Sequence, residues 1–117
     1  MFLARVEGAV VATKKDAQMS GRKLLVLRPM LVDEKDPSRF RAGSNTIVAV
    51  DSVGAGTGDM VLFCQGSSAR LAPGLKECPV DAVIIGIVDS VDVLGRRIFH
   101  APSSSQVSMA EKPASHG

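Results

Sequence analysis

Apolar residues fall in short runs along this chain, and polar stretches carrying glycine or proline separate them. Such runs, bounded by turn residues, predict strands rather than long helices. The first, Phe2 to Thr13, is rich in Val and Ala and carries Gly8 near its middle. An isolated glycine inside a strand marks a bulge or a tight bend, as at a barrel corner. Lys23 to Val32 (KLLVLRPMLV) is the second run, and Lys14 to Arg22 is a polar connection before it. Pro29 has no amide hydrogen to give a ladder, so that part of the strand is expected at an edge or a bulge. Asp33 to Asn45 is polar, with Pro37 and Gly43, and reads as an exposed excursion.

Thr46 to Asp51 (TIVAVD) and Met60 to Gln65 (MVLFCQ) predict the third and fourth strands, and a glycine-dense turn, Ser52 to Asp59, joins them. Gly66 to Ala72 has the character of one short helical turn, with Ser67 or Ser68 as its N-cap. Leu75 to Val80 reads as a loop. Ala82 to Val93 (AVIIGIVDSVDV) is the fifth and most apolar strand, bent at Gly86. Val93 to Phe99 extends it or turns back along the barrel. From Ala101 onward Ser, Pro, Lys and Gly leave little to bury, which predicts a flexible tail over 101–117. Five short strands with internal glycines and one short helix predict an all-β, OB-like small five-stranded β-barrel. Closure removes the unpaired edges of a small sheet. A sandwich is the alternative.

Composition narrows the function. The 117 residues suit one domain. The formal charge is only +2, without long basic runs, so no polyanion partner is implied. With no Trp, no Tyr and four Phe, the chain has few faces on which bases stack. Cys64 and Cys78 form no C-x-x-C pair, and His100 and His116 lie late in the chain. No metal site and no cofactor are expected; the thiols read as reduced and partly buried, as in a cytosolic protein. No basic, apolar leader opens the sequence, and no apolar run approaches the ~20 residues that span a bilayer. A soluble, cytoplasmic protein is expected, with neither nucleic acid nor membrane as a partner.

The densest local signal is Val50 to Asp59 (VDSVGAGTGD). Its alternating glycines permit positive φ and close backbone approach. A phosphate cradle needs a helix directly after the glycines, but Met60 to Phe63 is strand-like, and the Lys-Ser/Thr of a P-loop is missing. Catalytic sets can be written down, Ser52 with Asp51 and His100, or Cys64 with His100. There is no nucleophile elbow, and His100 borders the tail, so no catalytic residues are assigned. Asp51 and Asp59 flank the loop as paired carboxylates or, more commonly, as side-chain caps that fix the turn. Arg70 follows a small-residue stretch and suits a bidentate carboxylate partner, with Asp51, Asp59, Asp81 and Asp89 as candidates, or else it is solvated.

Five pieces stand in order: Gly8 to Lys14, Gly21 to Leu25, Val50 to Asp59, Gly66 to Arg70, and Pro79 to Asp89. Together they resemble the EutN/CcmL family of bacterial microcompartment vertex proteins, over Met1 to about Val93. The resemblance implies that residues 1–100 form an OB-like barrel assembling as a cyclic homopentamer. Such a ring sits at five-fold positions among hexameric shell proteins and lets a flat layer close into a polyhedron. It also implies that the loop Ser52, Val53, Gly54, Ala55, Gly56, Thr57 and Gly58 lies near the five-fold axis around a narrow pore. Asp51, Asp59, Arg70 and Asp81 are then candidates for structural or subunit-interface ion pairs. The expected role is structural, in the shell and without catalysis. The alternative is an OB-type binding module for nucleic acid or a small ligand, which aromatic poverty and near-neutral charge disfavour.

Overall fold

A computed structural model of the chain describes residues 1–12, 21–66 and 81–102. Eight strands form among them: β1 (Phe2–Val10), β2 (Lys23–Val32), β3 (Phe40–Ala42), β4 (Ile47–Asp51), β5 (Met60–Gln65), β6 (Ala82–Ile87), β7 (Ser90–Val93) and β8 (Arg96–His100). Five of them close a barrel. The strands run β1-β5-β6-β4-β2, and β2 pairs back onto β1. All barrel pairings are antiparallel except β4 with β6.

Alternation within the strands builds the core. Ala4 and Val6 of β1, Leu25 and Leu27 of β2, Ala49 of β4, Val61 and Phe63 of β5, and Ala82 and Ile84 of β6 all point inward and are buried. In β1 and β2 the intervening residues are more exposed, as a period of two requires, whereas Val50, Met60 and Val83 are buried too. Phe2 caps one end by packing on Phe63, with ring centroids 5.5 Å apart.

The predicted glycine features are present. The β1–β2 register slips between Val6 and Gly8, leaving Glu7 as the extra residue of a bulge. The β5–β6 register slips beside Gly86, whose partner is Leu62. Pro29 stands where β2 changes neighbours. Up to Leu27 the strand pairs with β4, and from Met30 it pairs with β3. A residue with no amide hydrogen suits that exchange point, and its carbonyl takes the amide of Gly43 at 2.8 Å.

Three boundaries differ from the sequence reading. The excursion 33–45 contains a strand, β3, that pairs with the end of β2. Arg28 helps to hold it there by donating to the Gly43 carbonyl at 3.0 Å and to the Glu7 carboxylate. The run 82–93 is two strands rather than one. Its amide at Val88 still bonds Met60 of the barrel, but among the described residues β7 then pairs only with β8. Val93 to Phe99 therefore turns back on the chain itself, through Leu94 and Gly95, and makes a hairpin outside the barrel. The predicted helical turn, 66–72, lies outside the described residues beyond Gly66, as do Cys78 and all but the first two residues of the tail. Among the described residues no helix is long and apolar enough to cross a membrane.

Candidate assembly surface around the glycine loop

The loop from Ser52 to Asp59 leaves the end of β4 and returns to the start of β5. It is fastened at nearly every residue. The Asp51 carboxylate accepts the amides of Val53 (3.0 Å) and Gly54 (3.1 Å), the side-chain cap that the sequence suggested. Asp59 does the same for the Gly56 amide at 2.9 Å, and its own amide returns a bond to the Gly56 carbonyl. The Ser52 hydroxyl donates to the Ile84 carbonyl at 2.6 Å. Gly58 and Asp59 pair with Val6 of β1 through backbone bonds. Ala55 is fully buried and joins the barrel core, so the loop is pinned from inside as well.

The ion-pair assignments change in detail. Asp51 meets Lys23, with Nζ 3.7 Å from Oδ2, and the Asp51 side chain is almost entirely buried. Lys23 also donates to the Ala55 carbonyl at 2.6 Å. Sequence reasoning missed Lys23, because only the β2–β4 register brings it opposite Asp51. Asp59 serves the loop backbone. Asp81 is exposed, and its carbonyl accepts the Gly66 amide. Arg70 lies outside the described residues.

The catalytic combinations do not assemble. The Ser52 hydroxyl is committed to Ile84, and Asp51 to loop amides and Lys23. His100 sits in the outlying hairpin, opposite Ser90. Cys64 is a free, half-buried thiol. Among the described residues no cluster of His, Cys, Asp and Glu is suited to a metal ion. An open cleft of about 340 Å³ is lined by Asp33, Glu34, Lys35 and Arg41, which carry no nucleophile and base pair.

Glycine is required at two loop positions within the single chain. Gly54 and Gly58 have φ of +85° and +95°, which side chains rarely adopt. Gly56 is different. Its φ is not in that range, and a Cβ there would meet nothing within 4 Å among the described residues. Among the described residues nothing gives a steric need for glycine at this position.

The described residues form a closed small barrel whose glycine loop is held by side-chain and backbone hydrogen bonds. The chain belongs to the EutN/CcmL family. The family model described as "Ethanolamine utilisation protein EutN/carboxysome" matches residues 1–89. The chain is 45% identical over 91 residues to the bacterial microcompartment shell vertex protein PduN of Salmonella typhimurium, covering 78% of this chain and 98% of that protein. The structure of CcmL from Gloeobacter violaceus superimposes with a TM-score of 0.74 at 41% identity, covering 86% of this chain and 97% of that one. The GrpN pentameric microcompartment shell protein from Rhodospirillum rubrum superimposes with a TM-score of 0.65 at 40% identity, covering 80% of this chain and 99% of that one.

Proposed function

We propose that this chain is the vertex component of a bacterial microcompartment shell, in the cytoplasm, where it forms a closed homopentamer. Membership of a family of shell vertex proteins supports the role, and so does the likeness to a pentameric shell protein. It is a structural protein and not an enzyme. Five-fold rings supply the curvature that a layer of hexameric shell proteins lacks, so those hexamers are its neighbours.

In this reading Ser52 to Gly58 surrounds the five-fold axis. The observation that carries it is Gly56, a glycine for which the described residues give no steric need. Five backbones converging on an axis leave little room for a Cβ. The pinned loop also keeps the cost of ordering it on assembly small, because its conformation is already fixed. A ring of this kind is heterologous, so each subunit presents two different patches.

Native mass spectrometry tests the reading. The wild-type chain is expected as a five-chain particle, and a stable single chain overturns the proposal. Gly56→Val is expected to leave the barrel folded by circular dichroism while loosening the ring and preventing shell closure. Unchanged rings and unchanged closure with Gly56→Val remove the loop from the axis.

A further inference from the structure

Asp51 is a costly residue for a small barrel. Its side chain is only 2% exposed, and a carboxylate taken that far from water needs hydrogen bonds and a counter-charge. The loop supplies the hydrogen bonds, since Oδ1 accepts the Val53 amide and Oδ2 the Gly54 amide. The counter-charge comes from another strand. Lys23 opens β2 and stands opposite Asp51, the last residue of β4, in the antiparallel ladder. It shares the inward parity of Leu25 and Leu27, so its side chain runs over the end of the barrel that the loop closes.

The same ammonium has a second task. At 3.7 Å it balances the Asp51 charge without a direct hydrogen bond, and its hydrogen bond goes instead to the Ala55 carbonyl at 2.6 Å. Ala55 is fully buried in the core cluster. One lysine therefore answers two costs in one loop, a buried carboxylate and the carbonyl of a buried residue. The two groups lie on either side of Gly54, whose φ of +85° turns the chain from one to the other.

We infer that Lys23 is the positioning residue of the glycine loop, and that the ring depends on its charge through the loop rather than through a contact of Lys23 with a neighbouring copy. The inference rests on the pentamer reading above. A loop that meets its symmetry mates at an axis joins them at least cost when it already holds one conformation. The clasp provides that order within the chain. Without the ammonium, Asp51 keeps its two amides but loses its counter-charge, and the Ala55 carbonyl loses this donor, so the loop is freer to lift from the barrel end. The geometry favours this indirect route, because the ammonium is already committed to Ala55 and Asp51 of its own chain.

Three variants test it. Lys23→Met removes the charge and the donor but keeps an unbranched side chain, and Lys23→Arg keeps both. Lys23→Met with Asp51→Asn removes both charges and leaves a side-chain oxygen to accept the loop amides. Loop order is read by NMR as amide exchange at Val53 and Gly54. It is read in the Gly56→Val background, whose ring is expected to be loosened, so that loss of the ring does not itself alter the exchange. Ring persistence is read with Gly56 intact, by native mass spectrometry across a dilution series. Lys23→Met is expected to keep the barrel's circular dichroism, to speed exchange of both amides about tenfold and to weaken the ring about tenfold in concentration, the scale of one buried polar group left unpaired. Lys23→Arg is expected to stay near wild type in both measurements, and the double variant to fall between. Unchanged exchange in Lys23→Met overturns the inference and leaves the pentamer reading standing, even where the ring is weakened. Faster exchange with a ring as persistent as wild type overturns the dependence of the ring on the clasp. Exchange in the double variant as fast as in Lys23→Met overturns the role of the charge. If Lys23→Met does not fold, Lys23→Arg is compared with the double variant, and a loop no better ordered in Lys23→Arg overturns the inference. A wild type that stays a single chain overturns the pentamer reading and the ring half of this one, while faster exchange in Lys23→Met still upholds the loop half.

Discussion

At the scale of single residues, the glycines fall into two groups. Gly54 and Gly58 are fixed by φ, whereas Gly8 and Gly56 are fixed by nothing within the described barrel. Leu94 is the converse case. It is the one non-glycine residue with positive φ among those described, at +52°, and it is 84% exposed at the tip of the β7–β8 hairpin. Gly95 follows with φ +78°, so both central residues adopt the geometry of a two-residue hairpin turn with positive φ. Asn tolerates that conformation far better than Leu. Leu94→Asn is expected to raise chain stability by about 0.5–1 kcal/mol, at the low end of the cost of a left-handed non-glycine residue. Urea denaturation in the Gly56→Val background, whose ring is expected to be loosened, measures it, and a lower midpoint would count against the strain.

At the scale of elements, the sequence places most strands and misplaces the ends of some. β2 and β5 are legible to the residue, because alternation and flanking polar residues agree. β3 was not legible. Phe40, Arg41 and Ala42 lie in a charged stretch, and their extended form depends on the free end of β2 beyond Pro29. Nor was the split of β6 from β7, since apolar residues continue on both sides of Asp89 and Ser90 while β6 ends at Ile87. The resulting hairpin carries its own charge pair, Asp92 with Arg97 at 2.9 Å. The hydrogen bond from Arg97 holds the Asp92 carboxyl below its ordinary value of 3.8, and Asp92 in turn raises Arg97. A depressed carboxylate stabilises the folded form above its unfolded pKa, and that contribution fades as pH falls through the folded one. Carboxyl titration by NMR is expected to find Asp92 below 3.8 and to return it to about its ordinary value in Arg97→Gln. Both side chains are more than half exposed, so salt shrinks the difference.

At the scale of the whole molecule, a barrel this small has a limited core and gains from assembly. Small domains bury a smaller share of their surface, and an oligomer adds to it. Binding among native chains stabilises them by mass action. The melting temperature of the wild type is therefore expected to rise with protein concentration, while that of Gly56→Val stays flat. Equal concentration dependence in the two would remove the loop from the subunit contact. The loop itself was legible as an unusual segment, since its glycine density has no phosphate-binding helix behind it. Its fastening was not. Lys23 precedes Asp51 by 28 positions and meets it only because β2 pairs with β4 in a particular register.

The sequence alone determined the barrel class, the positions of the principal strands and the family, and it offered a bulge or bend at Gly8 and a cap or paired carboxylate at Asp51. These depend on local alternation, on the backbone freedom of single residues and on motif order, all of which are written along the chain. Tertiary structure decided the closure of β1 onto β2, the pairing of β3, the outlying hairpin and the Lys23–Asp51–Ala55 clasp. It also exposed the likeness of Gly8 to Gly56, because whether a glycine has room for a Cβ depends on what the fold brings beside it.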